Sequence, residues 1–296
     1  MKIFVTGVAG YIGGSVAERL IAAGHHVVGL VRSAESIPLL KDRAIESVLG
    51  NLDDPEIITK TALEADAVIH AASADHPGSV VTLIAALERS GKTLIYTTGS
   101  GIVADSADGE YAGSVVYTEA TYFEPVPFRR PRVMMNVLVR QAAIDKGIRS
   151  VVICPSMIYG KGRGLQPDSD QLPKLISLSK QVGAGVYFGK GLNRYSNVHI
   201  DDLVDLYLLA LENAPGGSFF FAENGDASFK EIAEMISRSF GLGKTASLSV
   251  EDLVRQHGDA ARYGVTSNSL VSAVNARRLG WSPKAPSLVE YFESLR

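Results

Sequence analysis

The N-terminal segment of the chain constrains the fold more than any other feature. A short apolar run, Lys2–Thr6, leads directly into the glycine-rich turn Thr6-Gly7-Val8-Ala9-Gly10-Tyr11-Ile12-Gly13, and a helical pattern follows over Ile12–Ala23. A strand, a tight glycine turn and a helix in this order form the setting in which a glycine-rich loop binds a dinucleotide. A turn of the same composition without a ligand is the alternative, which the surrounding strand–helix–strand pattern disfavours.

Each glycine of this turn has its own expected role. Gly7 permits the tight turn, Gly10 lets backbone N–H groups approach a pyrophosphate, and Gly13 lets the helix pack closely on the strand. The partial positive charge at the start of the helix adds to the attraction for an anion.

Strand and helix patterns alternate over the first half of the chain, and the strands are continuously apolar. This alternation predicts an α/β fold with a doubly wound parallel sheet that is covered on both faces. The predicted strands are Lys2–Thr6, His26–Val31, Ser47–Gly50, Ala67–Ala71, Thr93–Thr97 and Ser150–Cys154, and the predicted helices are Ile12–Ala23, Pro55–Leu63, Ser79–Arg89 and Val133–Asp145.

The pattern changes after Cys154, where loop-rich segments appear and the alternation ends. We therefore predict a nucleotide-binding domain over residues 1–155 and a smaller C-terminal, mainly substrate-binding domain over residues 156–296, with parts of 196–222 returning to the sheet. The helices predicted in this half are Leu172–Lys180, Asp201–Glu212, Phe229–Phe240, Ser249–His257 and Leu288–Ser294.

The composition of the chain limits the classes of partner that it can bind. The 296 residues carry a net charge of -3, which gives no basic field for nucleic acid. No apolar run approaches the roughly 20 residues that span a bilayer, and no leader pattern precedes the first strand. A single cysteine, Cys154, favours a reducing compartment. We expect a soluble cytoplasmic protein that binds a small molecule, as a monomer or as a homodimer through the apolar helical segments Ser79–Arg89 and Val133–Ala143.

The spacing T-G-x-x-G-x-x-G resembles the short-chain dehydrogenase/reductase superfamily. Five later segments resemble its extended, epimerase/dehydratase-like branch: Asn51-Leu52-Asp53, His70-Ala71-Ala72, Pro155-Ser156-Met157-Ile158-Tyr159-Gly160, Val198-His199-Ile200-Asp201-Asp202 and Leu279-Gly280-Trp281-Ser282-Pro283. The resemblance implies a Rossmann fold and an NAD(P) site. The implied cofactor-binding residues are Gly7, Gly10, Tyr11, Ile12, Gly13, Arg32, Ser33, Asn51, Leu52, Ala71, Ala72, Ser73, Thr97, Arg132, Pro155, Met157 and Ile158.

The end of the second strand bears on the choice of nicotinamide cofactor. An acidic residue there would bind the ribose 2′-hydroxyl of NAD. This strand ends instead in Arg32-Ser33, and no carboxylate occurs before Glu35. A guanidinium suits a 2′-phosphate, so we expect NADP(H), with NAD(H) possible. The alternative is that Arg32 is a solvated cation at the end of a strand.

The catalytic segment departs from the family. The family carries Tyr-x-x-x-Lys on the helix before the sixth strand, and the matching positions here are Phe128 and Arg132. Arg132 can still hold a ribose hydroxyl, but Phe128 cannot transfer a proton. Pro131 fits only the first turn of a helix, so the helix should start near Arg130.

The proton donor must then come from elsewhere. Tyr117 or Tyr122 on the preceding loop could supply it, although both could equally be packing or surface residues. Ser100 and Thr98, at the end of the fifth strand, are candidates to bind the reacting oxygen, or are turn-forming hydroxyls.

Other polar residues have structural explanations. We expect Asp201 and Asp202 to cap the helix that they begin, rather than to act with His199 in catalysis. Cys154 ends an apolar strand and is expected to be buried and inert. The cluster Arg129-Arg130-Arg132 either meets an anionic group or forms a solvated helix start.

These observations predict an NADP(H)-dependent oxidoreductase acting on a carbonyl, alcohol or nucleotide-sugar-like small molecule, without a metal. Whether turnover occurs stays open, because the missing Tyr-x-x-x-Lys pair favours an NAD(P)-binding redox sensor or regulator. The segment around Trp281 favours an enzyme. A sugar epimerase or dehydratase is a further alternative.

Overall fold

The computed structural model describes residues 1–296, and a seven-stranded sheet organises it. All strand pairs in this sheet are parallel, in the order β10-β6-β5-β4-β1-β2-β3. The predicted doubly wound α/β fold is thus confirmed. The strands are β1 (Lys2–Thr6), β2 (His26–Val31), β3 (Ile45–Leu49), β4 (Ala67–His70), β5 (Thr93–Thr97), β6 (Arg149–Pro155) and β10 (Ser218–Ala222).

Helices cover both faces of this sheet, which explains why its central strands are apolar throughout: every residue of β4 and β5 is buried. The largest hydrophobic core lies between these strands and the helices. The helices of this part are α1 (Tyr11–Ala22), α2 (Ser36–Lys41), α3 (Pro55–Glu64), α4 (Pro77–Leu87), α5 (Arg130–Asp145) and α7 (Ile200–Asn213).

The rest of the chain forms two small sheets: β11-β9-β7, which lies on a second core, and β12-β8, which lies on a smaller third core. Their strands are β7 (Met157–Tyr159), β8 (Gly185–Phe188), β9 (Arg194–His199), β11 (Asp226–Ser228) and β12 (Thr245–Leu248). The accompanying helices are α6 (Gln171–Val182), α8 (Phe229–Ser239), α9 (Val250–His257) and α11 (Leu288–Ser294). Helix α10 (Val274–Arg278) packs instead on β10 of the large sheet.

The chain returns to the large sheet within residues 196–222. Strand β10 pairs with β6, and helix α7 packs against α1. The division into domains at residue 155 remains a prediction, and this crossing back connects the two parts. No helix combines the length and the apolar character that crossing a membrane requires.

The sequence did not reveal the strands of the small sheets. Strand β9 reads Arg-Tyr-Ser-Asn-Val-His and lacks an apolar pattern, yet all but its first residue are buried. Its polar side chains find partners only in the folded chain: Ser196 Oγ, for example, donates to the Val271 carbonyl at 3.1 Å. Tertiary contacts, rather than local periodicity, therefore make this segment a strand.

Two details concern helix starts. Helix α5 begins at Arg130 with Pro131 in its first turn, as predicted. The prediction that aspartates cap α7 is wrong: His199 is the N-cap, and its Nδ1 accepts the Asp201 N–H at 3.1 Å. The Asp202 carboxylate instead accepts the N–H groups of Lys284 and Ala285, because it points away from the first turn.

Candidate functional site

Two adjoining cavities follow the carboxyl ends of the parallel strands, at the point where the strand order reverses between β1 and β4. The outer cavity has a volume of about 520 Å³ and the inner cavity about 470 Å³. Gly10, Ala71 and Ala72 line both, so the two form one groove. This switch point is where open α/β sheets bind their ligands.

The glycine turn has the geometry of an anion site. Gly7 has φ of +77°, which disfavours any side chain. A Cβ at Gly13 would lie 2.3 Å from the Gly7 carbonyl oxygen, so only glycine lets α1 pack this closely on the turn. Gly10 is the N-cap of α1 and provides no side-chain cap. The first-turn N–H groups therefore remain available to a phosphate at the floor of the groove.

The outer cavity contains the residues expected around an adenosine. Arg32 and Ser33 line it, both exposed, and Arg32 forms no ion pair. Asp53 also lines it, and its carboxylate contacts His76 Nε2 at 3.1 Å. Glu35 lies outside the lining. The remaining predicted residues in this cavity are Asn51, Leu52 and Ser73.

The inner cavity brings together residues from the ends of β5, β6 and α5. Thr98, Ser100 and Arg132 line it, with Pro155 and Ile158. Thr98 Oγ1 is buried and has no hydrogen-bond partner. Such an unsatisfied hydroxyl is costly unless a ligand or water completes it, which makes this atom a candidate ligand-binding group.

Ser100 and Arg132 are held in place. Ser100 Oγ accepts a hydrogen bond from Ser269 Oγ at 2.9 Å. The Arg132 guanidinium forms two bonds to Asp75, of which Nε to Oδ1 measures 2.8 Å. This bond holds the pKa of the Asp75 carboxyl below its ordinary value. The arginine at the family's lysine position is thus oriented by a carboxylate from the segment after β4.

Four predicted residues lie outside both cavities. The Tyr122 side chain is 88% exposed, and Tyr117 packs edge-on against Phe123 at 5.8 Å between ring centroids. Thr97 Oγ1 contacts the Tyr207 hydroxyl at 2.6 Å, and Met157 belongs to the second core. The structure thus does not bring these four to the groove.

Arg129, Tyr195 and Tyr263 also line the inner cavity. Arg129 belongs to the arginine cluster for which the sequence left open an anion contact or a solvated helix start, whereas Tyr195 and Tyr263 carry no motif in the sequence. Tyr195 stands on β9 and is 3% exposed. Its hydroxyl and Arg129 Nη2 both approach Gly101, at 3.5 Å and 3.4 Å from the position of a Cβ placed there. Burial raises the pKa of Tyr195, and the Arg129 charge opposes the rise. No local signal could have shown this convergence, because the three come from separate segments.

The loop after β7 lies across the groove. The Tyr11 hydroxyl donates to the Gly160 carbonyl at 2.9 Å, which ties the loop to the start of α1. Gln166 reaches the outer cavity, and Ser169, Asp170 and Gln171 reach the inner one.

Comparisons with known proteins agree with this architecture. Residues 3–220 match the NAD dependent epimerase/dehydratase family. An uncharacterized protein of Schizosaccharomyces pombe is 31% identical, with 98% of this chain and 97% of that protein covered. The 2-alkyl-3-oxoalkanoate reductase of Stenotrophomonas maltophilia is 28% identical over 81% of this chain and 76% of its own length.

Solved structures share the fold. The UDP-glucose 4-epimerase of Thermotoga maritima, solved with UDP-glucose, matches with a TM-score of 0.78 at 20% identity and 99% coverage of both chains. The dTDP-glucose 4,6-dehydratase of Bacillus anthracis, solved with NAD, also has a TM-score of 0.78. It is 17% identical, and the match covers 99% of this chain and 96% of that one. With the glycine turn and the ordered later segments, these matches confirm the resemblance seen in the sequence: the chain belongs to the NAD dependent epimerase/dehydratase family.

Proposed function

We propose that the protein is an NADP(H)-dependent oxidoreductase that interconverts a carbonyl and an alcohol on a compact small molecule. One observation carries this proposal: the inner cavity gathers hydroxyls of Thr98, Ser100 and Tyr195 beside the guanidinium groups of Arg129 and Arg132. Hydroxyls that bind a reacting oxygen and cations that stabilise a phenolate are what carbonyl reduction needs. The name of the Stenotrophomonas relative, an oxoalkanoate reductase, supports the same reaction class.

The groove fits a nicotinamide dinucleotide. The uncapped first turn of α1 would hold the pyrophosphate, and Arg132 would hold the nicotinamide ribose. NAD in the solved dehydratase supports the cofactor class. Arg32, with no carboxylate partner and with Ser33 beside it, supports a preference for the 2′-phosphate of NADP(H).

The chain's own residues would bind and protonate the substrate. The unpartnered Thr98 Oγ1 and the Ser100 hydroxyl would donate to the carbonyl oxygen. NADPH, when bound, would supply the hydride to the carbonyl carbon, which leaves an alkoxide on the oxygen. This oxygen then needs a proton, and we assign the donor role to Tyr195, which lines the inner cavity, in place of Tyr117 and Tyr122, which do not.

Tyr195 can act as a general acid because its phenol carries a proton at neutral pH. Burial raises its pKa, and the charge of Arg129 opposes that rise, which favours release of the proton. When the proton leaves, the charges of Arg129 and Arg132 would stabilise the phenolate, as the lysine does in the family's usual pair. Solvent would return the proton through the open groove.

The test is a panel of ketones, aldehydes and alcohols assayed for NADPH oxidation or NADP⁺ reduction. Turnover that Tyr195→Phe abolishes, with NADPH affinity retained in a fluorescence titration, would support the proposal. NADPH binding without turnover on any member would favour the second candidate, a redox sensor. That candidate draws its support from Phe128, which occupies the usual donor position. Epimerisation of a nucleotide sugar would support the third candidate.

Assembly and location are also proposals. Apolar side chains are exposed on α4 and α5, among them Val81, Met134 and Val137, which supports a homodimer over a monomer. The lone Cys154 is buried and unpaired, which suits a reducing cytoplasm.

A further inference from the structure

Arg129 is a cation without a counter-ion at the inner end of the groove. It immediately precedes α5 and lines the inner cavity. Its Nη2 donates to the Tyr263 carbonyl at 2.9 Å, while its Nε is buried and has no partner. No carboxylate forms a salt bridge with it, in contrast to both neighbouring arginines, Arg130 and Arg132.

The charges around the cavity leave Arg129 uncompensated. Arg132 is balanced by Asp75, and Asp170, the only acidic residue in the lining, is paired with Lys174 at 2.5 Å. Burial lowers the pKa of Arg129, which reflects the cost of holding its charge away from water. A partly buried, unpaired guanidinium is expensive, and a carboxylate or phosphate ligand would offset that cost.

We propose that Arg129 binds the carboxylate of an oxo acid, so that the substrate of the proposed reductase is an anion. The type of reaction in this inference rests on the proposed function, whereas the negative charge of the substrate is inferred from Arg129. Arg129 lines the cavity without a carboxylate partner, and a guanidinium can donate in parallel to the two oxygens of a carboxylate.

The position of Arg129 relates the charge to the reacting group. The Tyr195 hydroxyl, our proton donor, approaches the same side of Gly101 as Arg129 Nη2. A molecule that has its carbonyl at Tyr195 and Ser100 would therefore have its carboxylate a short distance away. The inner cavity, of about 470 Å³, must also receive the nicotinamide end of the cofactor, and the remaining space accommodates a compact oxo acid.

The experiment compares acids with their esters. Pyruvate, acetoacetate and levulinate place the carbonyl at increasing distance from the carboxylate, and each methyl ester keeps the carbonyl but removes the charge. We expect the wild type to prefer at least one acid over its ester in kcat/KM. Arg129→Gln should reduce this acid-to-ester ratio by about 10- to 100-fold, the range for a charge-assisted hydrogen bond. Any effect of Arg129 on proton transfer applies equally to an acid and to its ester, so it cancels in the acid-to-ester ratio.

Two variants make the result specific. Arg129→Lys keeps the positive charge but loses the planar pair of guanidinium donors. Its acid-to-ester ratio should therefore lie between those of the wild type and Arg129→Gln. Arg130→Gln is the matched control, because Arg130 is exposed, pairs with Glu124 and lies outside the inner cavity; its ratio should equal that of the wild type.

A binding measurement separates this inference from the proposed function. The three acids are titrated calorimetrically into the NADP⁺ complex, in which no reduction can follow. Acid binding that weakens about tenfold or more in Arg129→Gln supports the anchor, even if the wild type turns over nothing and the reductase proposal fails. Equal kcat/KM and equal affinity for acids and esters in the wild type, or a ratio unchanged in a folded Arg129→Gln, would overturn the anchor while leaving the reductase intact.

Discussion

The ring of Phe128 stacks on the ring of Tyr263, with 5.9 Å between the centroids and 13° between the planes. Phe128 occupies the position at which the family carries its proton-donating tyrosine. Its partner lies in the C-terminal part of the chain, and the Tyr263 carbonyl also accepts a hydrogen bond from Arg129. The segment that precedes α5 is thus fixed to the C-terminal part of the chain, and a donor must approach the inner cavity from elsewhere.

The first prediction concerns that donor. Tyr195→Phe should reduce kcat by about 10² or more, because the product oxygen loses its proton source, while NADPH affinity stays unchanged. Steady-state kinetics and a fluorescence titration measure the two effects. Tyr117→Phe and Tyr122→Phe test the sequence-based alternative, and we expect much smaller changes, since neither side chain lines the cavities. A large loss in either would return the donor role to the loop.

The second prediction separates binding from packing in the glycine turn. Gly10→Val should abolish dinucleotide binding in a folded protein. A Cβ at Gly10 would meet only the Gly7 carbonyl oxygen, at 3.2 Å, and the added side chain would occupy the groove that Gly10 lines. Gly13→Ala should instead lower the thermal midpoint, since its Cβ would lie 2.3 Å from the Gly7 carbonyl oxygen. Calorimetry with NADPH and thermal unfolding distinguish these outcomes. Unchanged affinity in Gly10→Val would show that the ligand does not lie on this turn.

The third prediction concerns cofactor choice. Arg32→Glu should weaken NADPH binding far more than NADH binding, because it removes a phosphate donor and adds repulsion. Arg32→Gln removes the donor alone and should fall between the wild type and Arg32→Glu. Fluorescence titration of both cofactors measures the selectivity. Parallel losses for NADPH and NADH would place the 2′-phosphate away from Arg32.

The fourth prediction concerns acid stability and His70, which ends β4 just before the two alanines shared by the cavities. Burial lowers the pKa of His70 from 6.5 to about 4, and its Nδ1 contacts Thr6 Oγ1 at 2.7 Å. The His70 imidazole takes up a proton near pH 6.5 in the unfolded chain but only near pH 4 in the folded chain. The contribution of neutral, buried His70 to the free energy of unfolding is therefore complete above pH 6.5 and is lost as the pH falls toward 4.

Urea unfolding at neutral pH and near pH 5 measures this contribution. The wild type should lose about 2 kcal/mol of unfolding free energy through His70 between these conditions. His70→Gln should be less stable at neutral pH but should lack this part of the pH dependence. His257→Gln, at an exposed position, should retain it. An identical pH dependence in His70→Gln and the wild type would contradict the assignment.

The sequence by itself determined the parts of this protein that local chemistry encodes. The strand–turn–helix at the N-terminus, the apolar strands and the start of α5 at Arg130 follow from backbone geometry and hydrophobic pattern over neighbouring residues. Because parallel strands end at one edge of the sheet, residues at or just after the ends of β1, β4, β5 and β6 could be expected to meet there, as Gly10, Ala71, Thr98 and Pro155 do.

Only the tertiary structure decided what faces the reacting end of the groove. Tyr195 lies on a strand without an apolar pattern, and Tyr263 lies in a short 3₁₀ turn between α9 and α10. The return of the chain to the large sheet through β10, together with the packing of the small sheets, places Tyr195 and Tyr263 beside Arg129. Proximity along the sequence therefore favoured Tyr117 and Tyr122, whereas packing directs those two side chains away from the inner cavity. The physical reason is that a phenol from a distant segment acquires its position from long-range contacts, which no local pattern specifies.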